Sequence, residues 1–512
     1  MAEEVELKLA LVEAHQARFL RHPLLREASE RHVAQLDNIY YDTEKLALRR
    51  RGISLRLRRK GNLWLQTVKL AGTASAGLSS RPEWEIPYAG HFDFSAIDKE
   101  PVRAWLQRPG LLARILPVCE TRFRRITWRI PATSGAVLLT LDRGWVIADG
   151  RREPISEVEL ELAGAPVQAL FGIAGQLAER VALTPAVLSK AERGYRLHSR
   201  VAPTPVKAET VTLSPSLSPF AAFCRIALSC LEHLQQNHHG ALHTGDVEYI
   251  HQMRVATRRL RAALRLFAPV LPAGMRDALR QPMATLTRQL GRARDLDVLL
   301  GDIVDPVLAA LPEEPRLSSL AGDITNLRYG VRAEVIAALA APAYGRMLLT
   351  AVETLHPAAA PVQDVGSLKE FASARLHHLC RRLRRLAAAA DTDNPATLHE
   401  LRIGVKRLRY GLEFFATLDS DAPLRRLHRR LAEAQDVLGR LNDLANAGVS
   451  LSECAGDDAE LREAVALIGG WHVTRYRRLL SDIAADLPKL SRLRLPAPAS
   501  RDSRPDAAVP EH

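Results

Sequence analysis

The line His251-x-x-Arg254-Val255-x-x-Arg258-Arg259-Leu260-Arg261 returns as His399-x-x-Arg402-Ile403-x-x-Lys406-Arg407-Leu408-Arg409, 148 residues further on. The same offset carries Phe267 onto Phe415, Gly291 onto Gly439 and Asp295 onto Asp443. Duplication of one module is the simplest origin of such a pattern. A duplicated module constrains the fold strongly, because the two copies must bury equivalent faces.

Each copy has helical periodicity, in which positions three and four apart fall on one stripe. His251, Arg254, Arg258, Arg261 and Arg265 make such a stripe in the first copy, and His399, Arg402, Lys406 and Arg409 make it in the second. Beside them run the apolar stripes Met253, Leu260, Leu264, Phe267 and Leu401, Val405, Leu408, Leu412, Phe415. Acids four residues away are nearly absent, so the cations are not neutralised within their own helices. Two such helices are expected to face each other about a pseudo-twofold axis. The formal net charge of +13 then favours a polyanionic partner.

The chain has 512 residues, enough for two or three cores. Residues 1–200 alternate strand-like and helix-like segments. Residues 201–219, with Pro203, Pro205, Pro215 and Pro219, form a linker, and 220–490 are helical, with the repeat units at about 220–360 and 368–490. Residues 491–512 are expected to be a disordered tail. Five cysteines without CxxC spacing argue against a disulfide framework or a zinc site. With no signal-like or membrane-spanning apolar run, the expected localisation is cytoplasmic.

In the first 200 residues, charge alternates with apolar side chains at the period of a strand. Glu4, Glu6 and Lys8 share one face and Val5, Leu7 and Leu9 the other. Arg56 and Arg58, Glu83 and Glu85, Arg122 and Arg124, and Glu157, Glu159 and Glu161 repeat the pattern. Each strand carries charge of largely one sign, whereas solvent faces usually mix signs and neutral polar groups. A closed barrel with these faces turned inward would hold a metal through the acidic strands and phosphate oxygens through the basic ones. Trp64, Trp84 and Phe123 fall on the opposite, outward faces by the same count.

The series Glu4-x-Glu6-x-Lys8, Tyr41-Asp42-Thr43, Leu55-Arg56-Leu57-Arg58, Thr67-Val68-Lys69, Glu83-Trp84-Glu85, Arg122-Phe123-Arg124, Asp142, Ser156-Glu157-Val158-Glu159 and Ser189-Lys190-Ala191-Glu192-Arg193-Gly194-Tyr195 resembles the CYTH, or triphosphate tunnel metalloenzyme, family. That resemblance implies an α+β domain built on an eight-stranded antiparallel tunnel that cleaves a triphosphate with Mg²⁺ or Mn²⁺. Glu4, Glu6, Asp142, Glu157 and Glu159 match its metal-ligand positions. Lys8, Arg56, Arg58, Lys69, Arg122, Arg124 and Lys190 match its phosphate-binding positions, and Glu85 its mid-strand acid. Glu4, Glu6, Lys8, Lys69 and Glu85 are the expected catalytic group. Only ten of the 71 basic residues are lysine, yet Lys8, Lys69 and Lys190 all stand where the family has lysine.

The second half resembles the CHAD family, on its two H-x-x-R lines and on Leu290-Gly291-Arg292-Ala293-Arg294-Asp295 with its partner Leu438-Gly439-Arg440-Leu441-Asn442-Asp443. This implies an all-α domain of two repeated antiparallel bundles that binds inorganic polyphosphate through His251, Arg254, Arg258, Arg261, His399, Arg402, Lys406 and Arg409. No nucleic-acid motif and no exposed aromatics among the cations favour DNA or RNA, and no membrane partner is expected. The expected function is metal-dependent hydrolysis of inorganic triphosphate to pyrophosphate and phosphate, coupled to polyphosphate binding. A non-enzymatic polyphosphate-binding or granule-associated protein and a hydrolase of thiamine triphosphate or a nucleotide are the alternatives, and polyphosphate granules are the expected place of association within the cytoplasm.

Overall fold

The computed structural model describes residues 3–356, 366–418 and 422–495, without the side chains of residues 3, 4 and 73–75. Ten strands form one antiparallel sheet: β1 (Glu3–Leu11), β2 (Glu30–Thr43), β3 (Ile53–Lys60), β4 (Leu63–Leu70), β5 (Thr73–Ser75), β6 (Leu78–Pro87), β7 (Ile115–Pro131), β8 (Ala136–Ala148), β9 (Arg151–Ala163) and β10 (Leu183–Pro185). Their order is β10-β1-β9-β8-β7-β2-β3-β4-β6-β5, and a further pairing of β1 with β6 closes eight of them into a barrel. Closure removes the free edges and gives the alternating strands an inside and an outside.

Most of the apolar side chains lie outside the barrel, while Leu36, Phe123, Val146 and Ile155 form a small cluster on the inward face. Leu48, Leu55, Val68, Phe94 and Leu106 pack one flank beneath the helix Glu100–Leu106. Leu7, Leu9, Leu139 and Leu160 belong to a core that continues through the helix Gln168–Ala178 into the helical half. The halves therefore share one hydrophobic core. At their junction Gly345 lies so close to β10 that a Cβ there would stand 1.8 Å from the Leu183 carbonyl oxygen. Gln235 Nε2 donates to the Pro185 carbonyl at 3.3 Å across the same junction.

The helical half keeps the repeat offset in its elements. Val247–Leu266 and Pro395–Phe414 begin and end 148 residues apart. Ahead of them stand Pro219–His243 and Leu368–Ala388, and behind them Ala273–Val298 and Ala422–Ala455. The helices Pro315–Ala340 and Ala459–Ser491 complete the units, and Pro342–Leu355 makes the contact with the barrel. Among the described residues no single helix is long and apolar enough to cross a membrane.

Two boundaries differ from expectation. Residues 201–217 lack helix and strand, as a linker should, yet they are strapped to the helices. Val211 and Leu213 are buried, Val206 N–H donates to Asn237 Oδ1 at 2.9 Å, and Leu213 N–H donates to Thr417 Oγ1 at 2.9 Å. Side chains of the bundle thus satisfy backbone groups that the linker cannot pair internally. At the other end, Leu493 is buried, so packing against the helices continues past residue 491. Residues 496–512 lie outside the described residues.

Candidate active site

Strand register decides which charges meet inside the barrel. Asp142 of β8 lies opposite Arg125 of β7 and opposite Glu157 of β9. Lys8 of β1 lies opposite Glu159. Directly opposed residues project from the same face, so these five belong to one lumen row and its neighbour. Lys190, at the first turn of the helix Lys190–Ser199, completes the group from one end of the tunnel. Ser189 caps that helix by accepting from Glu192 N–H, which fixes where Lys190 enters.

The Lys190 ammonium stands 2.8 Å from Asp142, 2.7 Å from Glu157 and 2.9 Å from Glu159. Arg125 forks onto Asp142 at 2.7 and 2.6 Å and reaches Glu159 at 2.6 Å. Arg193, one turn after Lys190, binds Glu157 at 2.7 Å and Glu153 at 2.6 Å. Asp142 and Glu157 are buried, at 0% and 3% exposure, which only such pairing makes tolerable. Burial pushes the Glu159 carboxyl up, but Lys190, Arg125 and Lys8 overcome it and hold the group well below the usual range. Burial opposes the Lys190 charge in turn, and the three carboxylates raise its affinity for the proton well above normal.

Across the lumen a second set of cations pairs with Glu83 and Glu85. Arg56 and Lys69 meet on Glu83 at 3.3 and 2.6 Å. Arg58 stands 3.8 Å from Glu85 and donates to Asn38 Oδ1 at 3.0 Å. Burial, with Arg56 and Arg125 nearby, pushes Arg58 down to about 10. Glu85 also accepts from Thr67 Oγ1 at 2.9 Å. Glu6 bridges the sectors, 3.5 Å from Lys8 and paired with Arg81. Burial raises the Glu6 carboxyl, but Lys8, Arg81 and Lys69 outweigh it and leave it lowered.

In the helical half the two cationic stripes converge. Burial and the charges of Arg258, Arg402 and Arg254 drive Lys406 down to about 6, so members of both copies lie around one lysine. Burial also lowers His251, with Arg294, Arg254 and Arg258 adding to it. Arg254 crosses close over Gly291, where an added Cβ would be 3.6 Å from its Nε, and reaches Asp295 at 3.5 Å. Arg261 joins the row beside Arg288 and Arg258. His399 Nδ1 pairs with Asn442 Oδ1 at 3.0 Å. Arg409 turns to Gln435 at 2.9 Å and to Glu413 at 3.5 Å, and so is partly neutralised by an acid four residues on. Asp295 and Asp443, equivalent in the repeat, lie among the cations without balancing them.

A CYTH-domain model matches residues 2–195, and a CHAD-domain model matches residues 225–451. The chain thus contains a CYTH domain followed by a CHAD domain. An inorganic triphosphatase of Haemophilus influenzae is 31% identical over 208 residues, which make up 39% of this chain and 56% of that protein. The chain therefore spans about half the length of this curated relative. The crystal structure of the CHAD domain from the plant Ricinus communis is 33% identical with a TM-score of 0.50, covering 57% of this chain and 98% of that one.

Within the CYTH domain, Glu6, Lys8, Arg56, Arg58, Lys69, Glu85, Asp142, Glu157, Glu159 and Lys190 share the lumen. The side chain of Glu4 lies outside the described residues; its backbone pairs with Arg81. Arg122 and Arg124 do not reach the lumen, contrary to the alternation count, and both are exposed. Arg122 pairs with Glu120 at 2.8 Å. Phe123 and Arg125 take the inward positions instead, and Phe123 is packed among Leu36, Val146 and Ile155. Arg125 was missed because three arginines within four residues leave the phase of the strand ambiguous. Counting back from the β7–β8 hairpin, where Pro131 opposes Ala136, would have set Arg125 against Asp142. Arg81 and Arg193 were missed although a signal existed: Arg81 shares the face of Glu83 and Glu85 at the period of a strand, and Arg193 stands one helical turn after Lys190.

Proposed function

We propose that the CYTH domain hydrolyses inorganic triphosphate with Mg²⁺ or Mn²⁺, and that the CHAD domain binds inorganic polyphosphate. The observation that carries the proposal is the buried ion-pair network of the lumen, with Asp142, Glu157 and Glu159 converging on one cationic point and Lys8, Arg56, Arg58 and Lys69 gathered beside them. Binding an anion requires the cations alone. Buried carboxylates held ionised are the donor set of a hard divalent cation.

Among the described residues no three His, Cys, Asp or Glu side chains stand open to a single ion. The three acids that converge do so on the Lys190 ammonium. This arrangement fits a cation site held by an internal cation. Asp142, Glu157, Glu159 and Glu6 would hold the metal, with Glu4 from the same strand as Glu6. Bound there, a divalent ion would neutralise charge gathering on the leaving pyrophosphate and acidify the attacking water.

The protein's own side chains do the rest. Arg56, Arg58, Lys69 and Lys8 grip the phosphate chain and hold its terminal group in line, stabilising charge without a covalent intermediate. Glu83 and Glu85 keep Arg56, Lys69 and Arg58 in place before substrate arrives. Ser79 stands among these groups, donating its hydroxyl to Glu6 at 3.1 Å, with no nucleophilic role proposed for it. Phe123 is packed over by aliphatic side chains, so it offers no open face to a nucleobase or thiazolium ring.

The test is phosphate release from inorganic triphosphate, ATP, thiamine triphosphate and long-chain polyphosphate, with Mg²⁺ and Mn²⁺ in turn. Inorganic triphosphate should be cleaved fastest, and Glu6→Ala should abolish turnover at a temperature where circular dichroism shows the variant still folded. Near-wild-type turnover by Glu6→Ala, or preference for an organic triphosphate, would overturn the assignment.

A further inference from the structure

The pseudo-twofold repeat of the CHAD domain is broken at one pair of positions. In the first copy Arg259 is 2% exposed, and its Nε donates to the Glu413 carboxylate of the second copy at 2.9 Å. Its Nη2 donates to the Glu209 carbonyl at 3.4 Å, and its guanidinium lies over the Phe414 ring, 5.7 Å from the centroid. Carrying this pair through the 148-residue offset gives Arg407 for Arg259 and Arg265 for Glu413. The mirror image of an ion pair is therefore two arginines.

The second position has the cation and lacks the anion. Arg407 lies near Arg382 and Arg265, and burial with these two charges weakens its hold on its proton, opposed by Glu400. Its Nε is buried with no hydrogen-bond partner. Among the described residues no carboxylate forms an ion pair with Arg265, Arg382 or Arg407. Arg265 adjoins Arg261, which adjoins Arg258, so a row of cations leads here from the groove around Lys406. Arg258 and Arg265 are two helical turns apart, about 10 Å.

We propose that Arg265, Arg382 and Arg407 form a second oxyanion site, in which a phosphoryl group of a long polyphosphate chain takes the place that the Glu413 carboxylate holds against Arg259. The first copy supplies the template. An arginine at this position takes an oxygen anion on its Nε, and a phosphoryl oxygen makes the same charge-assisted contact. The inference rests on the reading of the groove as a polyphosphate site and extends it beyond Arg258 and Lys406.

The test is binding of long-chain polyphosphate to the full chain, by titration calorimetry at fixed salt, for Arg407→Gln, Arg265→Glu and the groove variant Arg258→Gln. Arg407→Gln should weaken binding about ten-fold, and its loss of affinity with rising salt should be shallower. Arg265→Glu restores the acid that the first copy has. It should raise the melting temperature without ligand and weaken binding about as much. If Arg258→Gln weakens binding while Arg407→Gln and Arg265→Glu match wild type, the second site is rejected and the groove stands. If all three bind as wild type, the polyphosphate reading of the domain falls with it. Displacement of polyphosphate by poly-glutamate at equal charge concentration would show a general carboxylate site and overturn the phosphoryl assignment.

Discussion

Phe267 and Phe415 are equivalent residues of the two repeats, and their rings meet with centroids 5.6 Å apart. Phe371 stacks on Phe267 at 5.2 Å, and Phe223, which the repeat offset carries onto Phe371, lies 5.8 Å from Phe267. Four aromatics, two from each copy, thus mark the pseudo-twofold axis. Contact between equivalent residues is the signature of an isologous interface, here within one chain. It also fixes how far apart the two basic helices stand.

Phe415→Ala should therefore cost about 3–5 kcal/mol, because it opens a cavity where both halves of the CHAD domain join. Urea unfolding followed by far-ultraviolet circular dichroism measures this. A loss below about 1 kcal/mol would show that the aromatic cluster does not hold the copies together.

Arg125 and Arg124 are sequence neighbours on opposite faces of β7, and their alanine variants should part sharply. Arg125→Ala strips two bonds from Asp142 and one from Glu159, leaving buried charge under-compensated at a cost of about 3–5 kcal/mol. Arg124→Ala, on the exposed face, should melt with the wild type. Equal shifts in a thermal melt would contradict the inward assignment of Arg125.

Lys190 sits where three carboxylates converge, so Lys190→Met should lower the melting temperature of the metal-free protein. Added Mn²⁺ should then raise the variant's melting temperature more than the wild type's, because no tethered cation competes for the acids. A variant that gains no more from Mn²⁺ than wild type does would remove these three residues from the metal set.

Lys406, held down to about 6 by burial and then by Arg258, Arg402 and Arg254, is largely neutral in the free protein at neutral pH. A bound phosphate chain favours the charged form and raises its pKa, so binding above about pH 6 must take up a proton. Affinity should consequently fall as pH rises from about 6 towards the raised value, and be insensitive to this group below it. Calorimetry near pH 7.5 in buffers of different ionisation enthalpy reads the uptake, which Lys406→Arg should remove. Binding without proton uptake by the wild type would count against Lys406 as a phosphate contact.

Much of the architecture was legible because it is periodic. Alternating charge in β1, β3, β6 and β9 predicts strands with one charged face, and the two H-x-x-R lines predict paired basic helices. Both rules are local, and they survive folding because a strand has period two and a helix 3.6. The phase of β7 was not legible, since Arg122, Arg124 and Arg125 fit either face until the hairpin register is fixed. The strapped linker was hidden for a related reason: its partners Asn237 and Thr417 are far away in sequence.

The sequence by itself determined the two-part architecture, the repeat and most of the charged residues that share the lumen. Tertiary structure decided which charge faces which. Electrostatic energy falls with distance, and the short distances here are made by closing β1 onto β6 and by bringing Phe267 against Phe415. Those closures turn Lys190 into the internal cation of three acids, seat Arg125 on Asp142, and leave Arg407 beside Arg265 where its twin Arg259 has Glu413.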